Sequence, residues 1–297
     1  MSLLPATRLE HDLILADGSR WVVAAGDEEA ESIVSRLGRA MKLGTITGTG
    51  AVESSRPGAV RRLLVRVGAH GQKTVAATCH AMPKDDGPIV CVLRPSPHEE
   101  ELYGQLMELS SVFAREAQAR GGVLLHGALA ERNGIGVILA APGGTGKSTA
   151  SGRLPATWRS LCDDTTLVVR DSRGEYRAHP WPTWSRFLRG EPGGAWDVQK
   201  TVPLKGVFFL SRAAEDRAEP VGPGRAVSLL VECAGQSSRP MALGLDKEAT
   251  RALHLERFDN LCALARAVPT HLLHISLTGA FWREIERSIG AVDGRRQ

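Results

Sequence analysis

Apolar and polar positions along this chain recur in segments short enough to be single elements. Leu13-Ile14-Leu15 and Trp21-Val22-Val23 flank Asp17-Gly18-Ser19, which predicts a hairpin. From Asp27 to Met41, the apolar residues Ile33, Val34, Leu37 and Met41 return at helical spacing and predict one amphipathic helix. Gly44 to Gly58, rich in Gly, Thr and Ser, reads as a loop, and Leu63 to Val67, Thr74 to Cys79 and Ile89 to Leu93 read as strands. Pro95-Ser96-Pro97 ends that run and opens a helix, because proline cannot donate to a ladder yet suits a first helical turn. A domain boundary is expected there, giving a small α+β unit over 1–95 and a larger unit over 96–297.

In the larger unit, Leu102, Leu106, Leu109 and Phe113 predict a helix that stops at Gly121-Gly122. Val123 to Ala130 and Gly136 to Ala140 read as two strands joined by the turn Arg132-Asn133-Gly134. A second hairpin is expected from Thr165 to Val169 and Tyr176, about Asp171-Ser172-Arg173-Gly174. Val207-Phe208-Phe209-Leu210 reads as a buried strand, Ala249 to Ala267 as one or two helices, and Leu272 to Leu277 as another strand. Thr278 is expected to cap a last helix that turns Phe281, Trp282, Ile285 and Ile289 inward. Glu191-Pro192-Gly193-Gly194 and Gly222-Pro223-Gly224 read as surface loops. The alternation of strands and helices makes the fold class α/β.

Composition narrows the function classes. The 297 residues are 42% hydrophobic and 24% charged, as in ordinary globular chains, which excludes disorder, collagen and a coiled coil. Lys and Arg number 37 against 33 Asp and Glu, a net charge of +4. With aromatics at only 5%, neither a basic stripe nor a stacking platform is present, so nucleic acid is not an expected partner. Cys79, Cys91, Cys162, Cys233 and Cys262 show no C-x-x-C spacing. That predicts neither a zinc site nor a disulfide framework, and a reducing cytoplasm as the location. The N-terminus lacks a basic start with an apolar core, and no apolar run approaches the ~18 residues that span a bilayer, so no membrane partner is expected.

The chemistry concentrates after the strand Gly136-Val137-Ile138-Leu139-Ala140. It runs into Ala141-Pro142-Gly143-Gly144-Thr145-Gly146-Lys147-Ser148-Thr149, a Walker A sequence with alanine at its first position. Glycines let successive backbone N–H groups turn toward phosphate oxygens, a lysine reaches the β and γ phosphates, and the following hydroxyl binds Mg²⁺. A Gly-rich strand-to-helix turn that binds nothing is the plainer reading. Further on, Leu161-Cys162-Asp163-Asp164 reads as a strand end carrying two carboxylates. One carboxylate suits a metal and the other suits a proton acceptor. Alternatively the pair is a solvated turn.

Together these residues resemble the HPr kinase/phosphorylase family, whose P-loop fold is similar to that of phosphoenolpyruvate carboxykinase. The resemblance rests on His126-Gly127, the strand into Pro142-Gly143-Gly144-Thr145-Gly146-Lys147-Ser148, and Asp163-Asp164. His179-Pro180-Trp181-Pro182-Thr183-Trp184-Ser185, Phe258-Asp259-Asn260 and Ser276-Leu277-Thr278-Gly279-Ala280-Phe281-Trp282 resemble more closely the HPr-kinase-like proteins of modified-peptide clusters, the SynChlorMet cassette ScmC type. The first 95 residues lie outside the resemblance.

The resemblance implies a P-loop kinase domain and an ATP- and Mg²⁺-dependent serine kinase acting on a peptide or small protein, such as a ribosomal natural-product precursor. It implies catalytic roles for Asp163 as base, His126 beside the transferred phosphoryl and Lys147 on phosphate. It further implies nucleotide contacts from Gly143, Gly144, Thr145, Gly146, Lys147, Ser148 and Thr149, and metal ligation by Ser148 and Asp164. It also allows a homo-oligomer. The alternatives are a nucleotide-binding regulatory partner of a biosynthetic enzyme, without kinase activity, and a small-molecule hydroxyl kinase.

Three features stay open at this level. His126 lies in an apolar strand, where a histidine is often only a satisfied core group. His179 to Arg189 interleaves Trp181 and Trp184 with Arg186 and Arg189, either as a wall against a peptide or as a rigid loop packed on the core, with His179 near the site or capping the hairpin. Glu191 to Lys200, with Gly193-Gly194 and Trp196, reads as a mobile lid.

Overall fold

The strand pattern resolves into two sheets in the computed structural model, which describes residues 9–46, 60–68, 78–79, 87–95, 98–141, 146–191 and 194–293. The first sheet is built from Glu10–Ile14 (β1), Arg20–Ala25 (β2), Gly44–Thr45 (β3), Val60–Val67 (β4), Thr78–Cys79 (β5) and Ile89–Leu93 (β6) in the order β3-β1-β2-β4-β6-β5. β1 and β2 form the expected hairpin, and β2, β4 and β6 run parallel. The crossover from β2 to β4 carries the helix Glu28–Met41 (α1). Asp27 starts it: one carboxylate oxygen accepts the Ala30 N–H at 2.8 Å and the other accepts the Val67 N–H at 2.9 Å. A single residue thus caps α1 and ties it to β4. Ala30, Val34, Leu37 and Met41 form its fully buried face.

The helix Glu99–Ala119 (α2) joins the two halves. Phe113 meets Trp21 of β2 edge-to-face at 5.0 Å between ring centroids, and Arg61 of β4 pairs with Glu116 at 2.5 Å. One connected apolar cluster runs from Leu13 and Trp21 through Phe113 to Leu125 and Val207. α2 ends where expected, with Gly121 at φ +89° and the Gly122 N–H donating to the Ala117 carbonyl at 2.8 Å.

The second sheet contains Val123–Arg132 (β7), Ile135–Ala140 (β8), Arg159–Cys162 (β9), Thr165–Arg170 (β10), Tyr176–Trp181 (β11), Val202–Arg212 (β12), Arg217–Pro220 (β13) and Thr270–Ile275 (β14). Its order is β11-β10-β7-β8-β12-β14-β13, with β9 also paired to β7. β11 additionally pairs with the start of β12, so β7, β8, β12, β11 and β10 close into a ring. β8, β12 and β14 are parallel. Helices on this half are Lys147–Gly152 (α3), Trp184–Leu188 (α4), Pro223–Ser237 (α5), Lys247–Ala267 (α6) and Trp282–Asp293 (α7). Leu129, Ile138, Ala140, Val207 and Phe209 face one core, while Ala130, Val137, Leu139, Phe208 and Leu273 face a second core closed by Phe281 and Ile285. Burial on both faces explains why these strands read as continuous apolar runs. The chain is therefore mixed α/β, with seven α-helices among the described residues, none long and apolar enough to cross a membrane.

Several expectations need correction. Gly222-Pro223-Gly224 is not an isolated loop: Pro223 is the first residue of α5, where its missing N–H costs nothing. Ala249 to Ala267 lies in one helix. Thr278 does not cap α7, which begins only at Trp282. In that turn the Gly279 N–H donates to the Ser276 hydroxyl, and the Ser276 N–H to Asp216. Cys91 is disulfide-bonded, which the reading of no disulfide framework from the spacing did not anticipate: strand pairing, not linear spacing, sets Cys91 opposite the Cys79 position. Cys162, Cys233 and Cys262 are free.

The lid reading of Glu191 to Lys200 also fails over its described part. Trp196 is buried, its N–H donates to the Ala40 carbonyl at 2.7 Å, and Lys200 pairs with Glu131 at 2.6 Å. This segment straps the end of α1 to the second sheet, and only Pro192-Gly193 lie outside the described residues. His179 belongs to the same junction. Fully buried, it donates from Nδ1 to the Val198 carbonyl at 2.8 Å and accepts the Ala16 N–H at Nε2, 3.2 Å away. Burial pushes its pKa down to about 4.

A titration should expose that clasp. The folded state keeps His179 neutral while the unfolded chain protonates near 6.5, so its contribution is full above 6.5 and is lost as pH falls toward 4. The loss amounts to at most about 3 kcal/mol. Denaturant titrations at stepped pH should show this slope in the wild type and a flatter one in His179→Gln. Equal slopes would reject the assignment.

Candidate functional site

β7 positions the site because it holds neighbours on both edges. On one edge Ala140, the last residue of β8, pairs with Gly127. On the other, Cys162 of β9 pairs with Leu129 and Thr165 of β10 pairs with His126. Asp163 and Asp164 fall between these two pairings, where the ladder along β7 is interrupted. The interruption is held from inside: the Thr166 hydroxyl donates to the Gly127 carbonyl at 2.8 Å, and the Cys162 thiol to the Thr165 carbonyl at 2.9 Å. Burial raises that thiol's pKa to about 11, so it stays protonated and structural. A side chain at Gly127 would bring its Cβ within 2.6 Å of Ile138, so the crossing of three strands here requires glycine.

The loop leaving β8 returns as α3, entered through Gly146 at φ +105°. Lys147 then folds back against β7. Its ammonium is 6% exposed as a residue and lies 2.7 Å from His126 Nε2 and 2.9 Å from the Ala141 carbonyl oxygen. On its other side His126 Nδ1 lies 3.4 Å from an Asp164 carboxylate oxygen. An ammonium can only donate, so Nε2 must accept, and the ring proton sits on Nδ1 toward Asp164. The result is a chain of cation, neutral imidazole and carboxylate. Burial lowers the pKa of His126, Asp164 raises it in part, and Lys147 lowers it. Burial also lowers the Lys147 pKa, and Asp164 opposes that shift. The plain core-histidine reading of His126 therefore does not describe its setting.

The two aspartates have different surroundings. Asp164, 39% exposed, shares with His126 a cavity of about 220 Å³ that is also lined by Ser110, Trp181, Thr183 and Trp184. Asp163, 19% exposed, takes Arg186 Nη1 on one oxygen at 2.6 Å and the Thr183 hydroxyl on the other at 3.4 Å. Arg186 also pairs with Glu191 at 3.3 Å. Arg186 thus serves an internal acid. Trp181 and Trp184 are packed into the core, with the Trp184 indole N–H donating to the Ser110 hydroxyl at 3.2 Å, and contribute only edges of the cavity.

His126, Lys147 and Asp164 are thus brought into contact, and Asp163 sits beside them facing Arg186. Ser148 and Thr149 are exposed on the first turn of α3. Gly143, Gly144 and Thr145 lie outside the described residues. Two contributors escape a reading of the sequence. Thr183 reaches Asp163 from the turn before α4. Arg153, at the end of α3, donates to the Ser276 and Gly279 carbonyls at 2.7 Å each and lies over Phe281, fixing α3 to the turn after β14. Thr183 stands in the stretch that carries the family resemblance but has no role assigned by it, and Arg153 belongs to no motif; the partners of both come from distant segments.

Among the described residues no group of three or more His, Cys, Asp or Glu is arranged to hold a metal.

The Lys147–His126–Asp164 chain predicts opposite shifts on cutting either end. Asp164→Asn removes what raises the His126 pKa and should move its titration lower; Lys147→Met removes a lowering influence and should move it higher. NMR of the His126 ring reads both, and shifts of the same sign would break the chain as drawn.

No curated protein matches the chain. A family model described as SynChlorMet cassette protein ScmC matches residues 89–290, from β6 into α7 and more than half of the chain. The chain belongs to the ScmC family.

Proposed function

We propose that this protein is an ATP-dependent phosphotransferase of the HPr-kinase-like P-loop type, transferring phosphoryl to a serine hydroxyl of a peptide or small protein. The observation that carries this is Lys147: a buried ammonium whose two near partners, His126 and the Ala141 carbonyl, are neutral. A buried cation without a contacting carboxylate is costly unless an anion completes it. Its third N–H has no partner among the described residues, so the site fits a phosphate oxygen. Ser148 and Asp164 would hold Mg²⁺, which supplies charge neutralisation on the triphosphate when bound.

The remaining roles belong to this chain's own side chains. Lys147 binds and orients phosphate by its charge, and His126 fixes the ammonium in place. The Thr183 hydroxyl on Asp163 marks a position from which an acceptor hydroxyl can donate to the same oxygen. Asp163 takes that proton while Arg186 stays on its other oxygen and orients it. Positioning and charge account for most of the expected rate gain in such a transfer.

A second reading, a small-molecule hydroxyl kinase, is favoured by one observation: the cavity beside His126 and Asp164 is small and walled by packed tryptophans. Such a space takes a metabolite, or one side chain of a longer acceptor. Intact-mass measurement with ATP separates the two, since the added phosphoryl appears on peptide or on metabolite. Lys147→Ala and Asp163→Asn should each lower transfer by about a hundredfold or more while thermal melting is retained. Transfer at wild-type rate in either variant rejects the assignment.

A further inference from the structure

α1 and α4 border a second, open cleft of about 580 Å³. One wall carries Arg36 and Arg39, three residues apart on α1, and Lys42, the residue that caps it. The other carries Phe187 and Leu188 of α4, both partly buried, with Glu191 beyond them. Glu191 is already paired with Arg186 and Arg189 at 3.3 Å each. None of the three cations on the α1 wall has a side-chain partner among the described residues. A cation at a helix C-terminus is favourable by itself. Three of them on the wall of a concavity with an apolar floor exceed that need and leave positive charge facing an open volume.

We propose that this cleft docks an extended acidic segment of the acceptor, its apolar side chains on Phe187 and Leu188 and its carboxylates on Arg36, Arg39 and Lys42. The identity of the occupant rests on the phosphotransferase reading above. Charge complementarity selects an acidic chain, and the apolar floor with Glu191 at its edge selects peptide over nucleic acid, which tracks uniformly cationic grooves. α4 connects the cleft to the site. Within its five residues, Trp184 lines the cavity beside His126, Arg186 holds Asp163, and Phe187 floors the cleft. The Trp184 and Phe187 rings meet edge-to-face at 6.3 Å, so the two spaces share one wall. Phe187, on the cleft floor, directly follows Arg186, whose guanidinium holds Asp163, so a chain docked in the cleft lies beside the residue that orients the acid. The cleft thus supplies recognition that the small cavity lacks, and a metabolite has no use for it.

Fluorescence anisotropy with the full chain and no nucleotide tests this, using a short labelled peptide of alternating Glu and Leu. Binding should weaken with salt and fall about tenfold or more in Arg36→Glu/Arg39→Glu. It should fall less in Arg36→Gln/Arg39→Gln and not at all in Arg251→Glu, a charge reversal on the exposed side of α6. The proposal is overturned if a Lys–Leu peptide binds equally well, if the double reversal binds as wild type, or if a single-stranded oligonucleotide binds more tightly. ATP titration of the same variants keeps the two readings apart. Unchanged nucleotide binding with lost peptide binding supports docking, and peptide docking in a protein that ignores ATP sinks the phosphotransferase reading while the cleft stands.

Discussion

Everything at the candidate site depends on β7 being paired along both edges and covered on both faces. β8 occupies one edge, β9 and β10 share the other, and apolar cores lie on either side. A strand so enclosed cannot slip by one residue without exchanging its two faces and burying His126 where Leu125 now lies. That constraint fixes His126 in space. It also fixes the two aspartates, because the neighbouring chain is registered to β7 before and after them. The glycine at 127 is the local condition for this crowding.

The charges are arranged by competition between burial and pairing. Burial lowers the pKa of both Lys147 and His126, and each feels Asp164 as the main opposing influence. The outcome is asymmetric, since an imidazole loses its proton far more easily than an ammonium does. Lys147 therefore keeps its charge and His126 becomes a neutral spacer between cation and anion. Asp163 escapes this chain altogether by pairing with Arg186, so two adjacent carboxylates acquire distinct environments from one turn of backbone. Environments that differ between neighbouring acids are what separate roles for a metal ligand and a base require.

The N-terminal sheet bears on this site through a shared apolar core and, at its margins, through three specific contacts. α2 packs Phe113 on Trp21, the strap around Trp196 holds the end of α1, and His179 accepts the Ala16 N–H. All three join elements on which the cavity and the cleft depend. The family match starts at β6, so the α1 wall of the cleft belongs to the part of this chain that lies outside it.

Much of this was legible in the residues themselves. Local rules decide the β1–β2 hairpin, the Asp27 cap of α1, the glycine stop of α2 and the Asn133-Gly134 turn between β7 and β8, because each is settled by a few neighbouring dihedrals. The strand Gly136 to Ala140 and the strand end before the paired aspartates were legible for the same reason, being contiguous. Where a residue's meaning depends on a distant partner, the sequence is silent. Nothing near Pro223 distinguishes a loop from the first turn of α5, and Trp196 reads as a lid until Ala40 is seen beneath it. Arg186, Thr183 and Arg153 take their roles from carboxylates and carbonyls brought close only by the closed second sheet and its helices. Short-range dihedral preferences are written residue by residue. Which charge meets which, and which cavity remains, is decided by the packing of sheets whose strands come from the whole length of the chain.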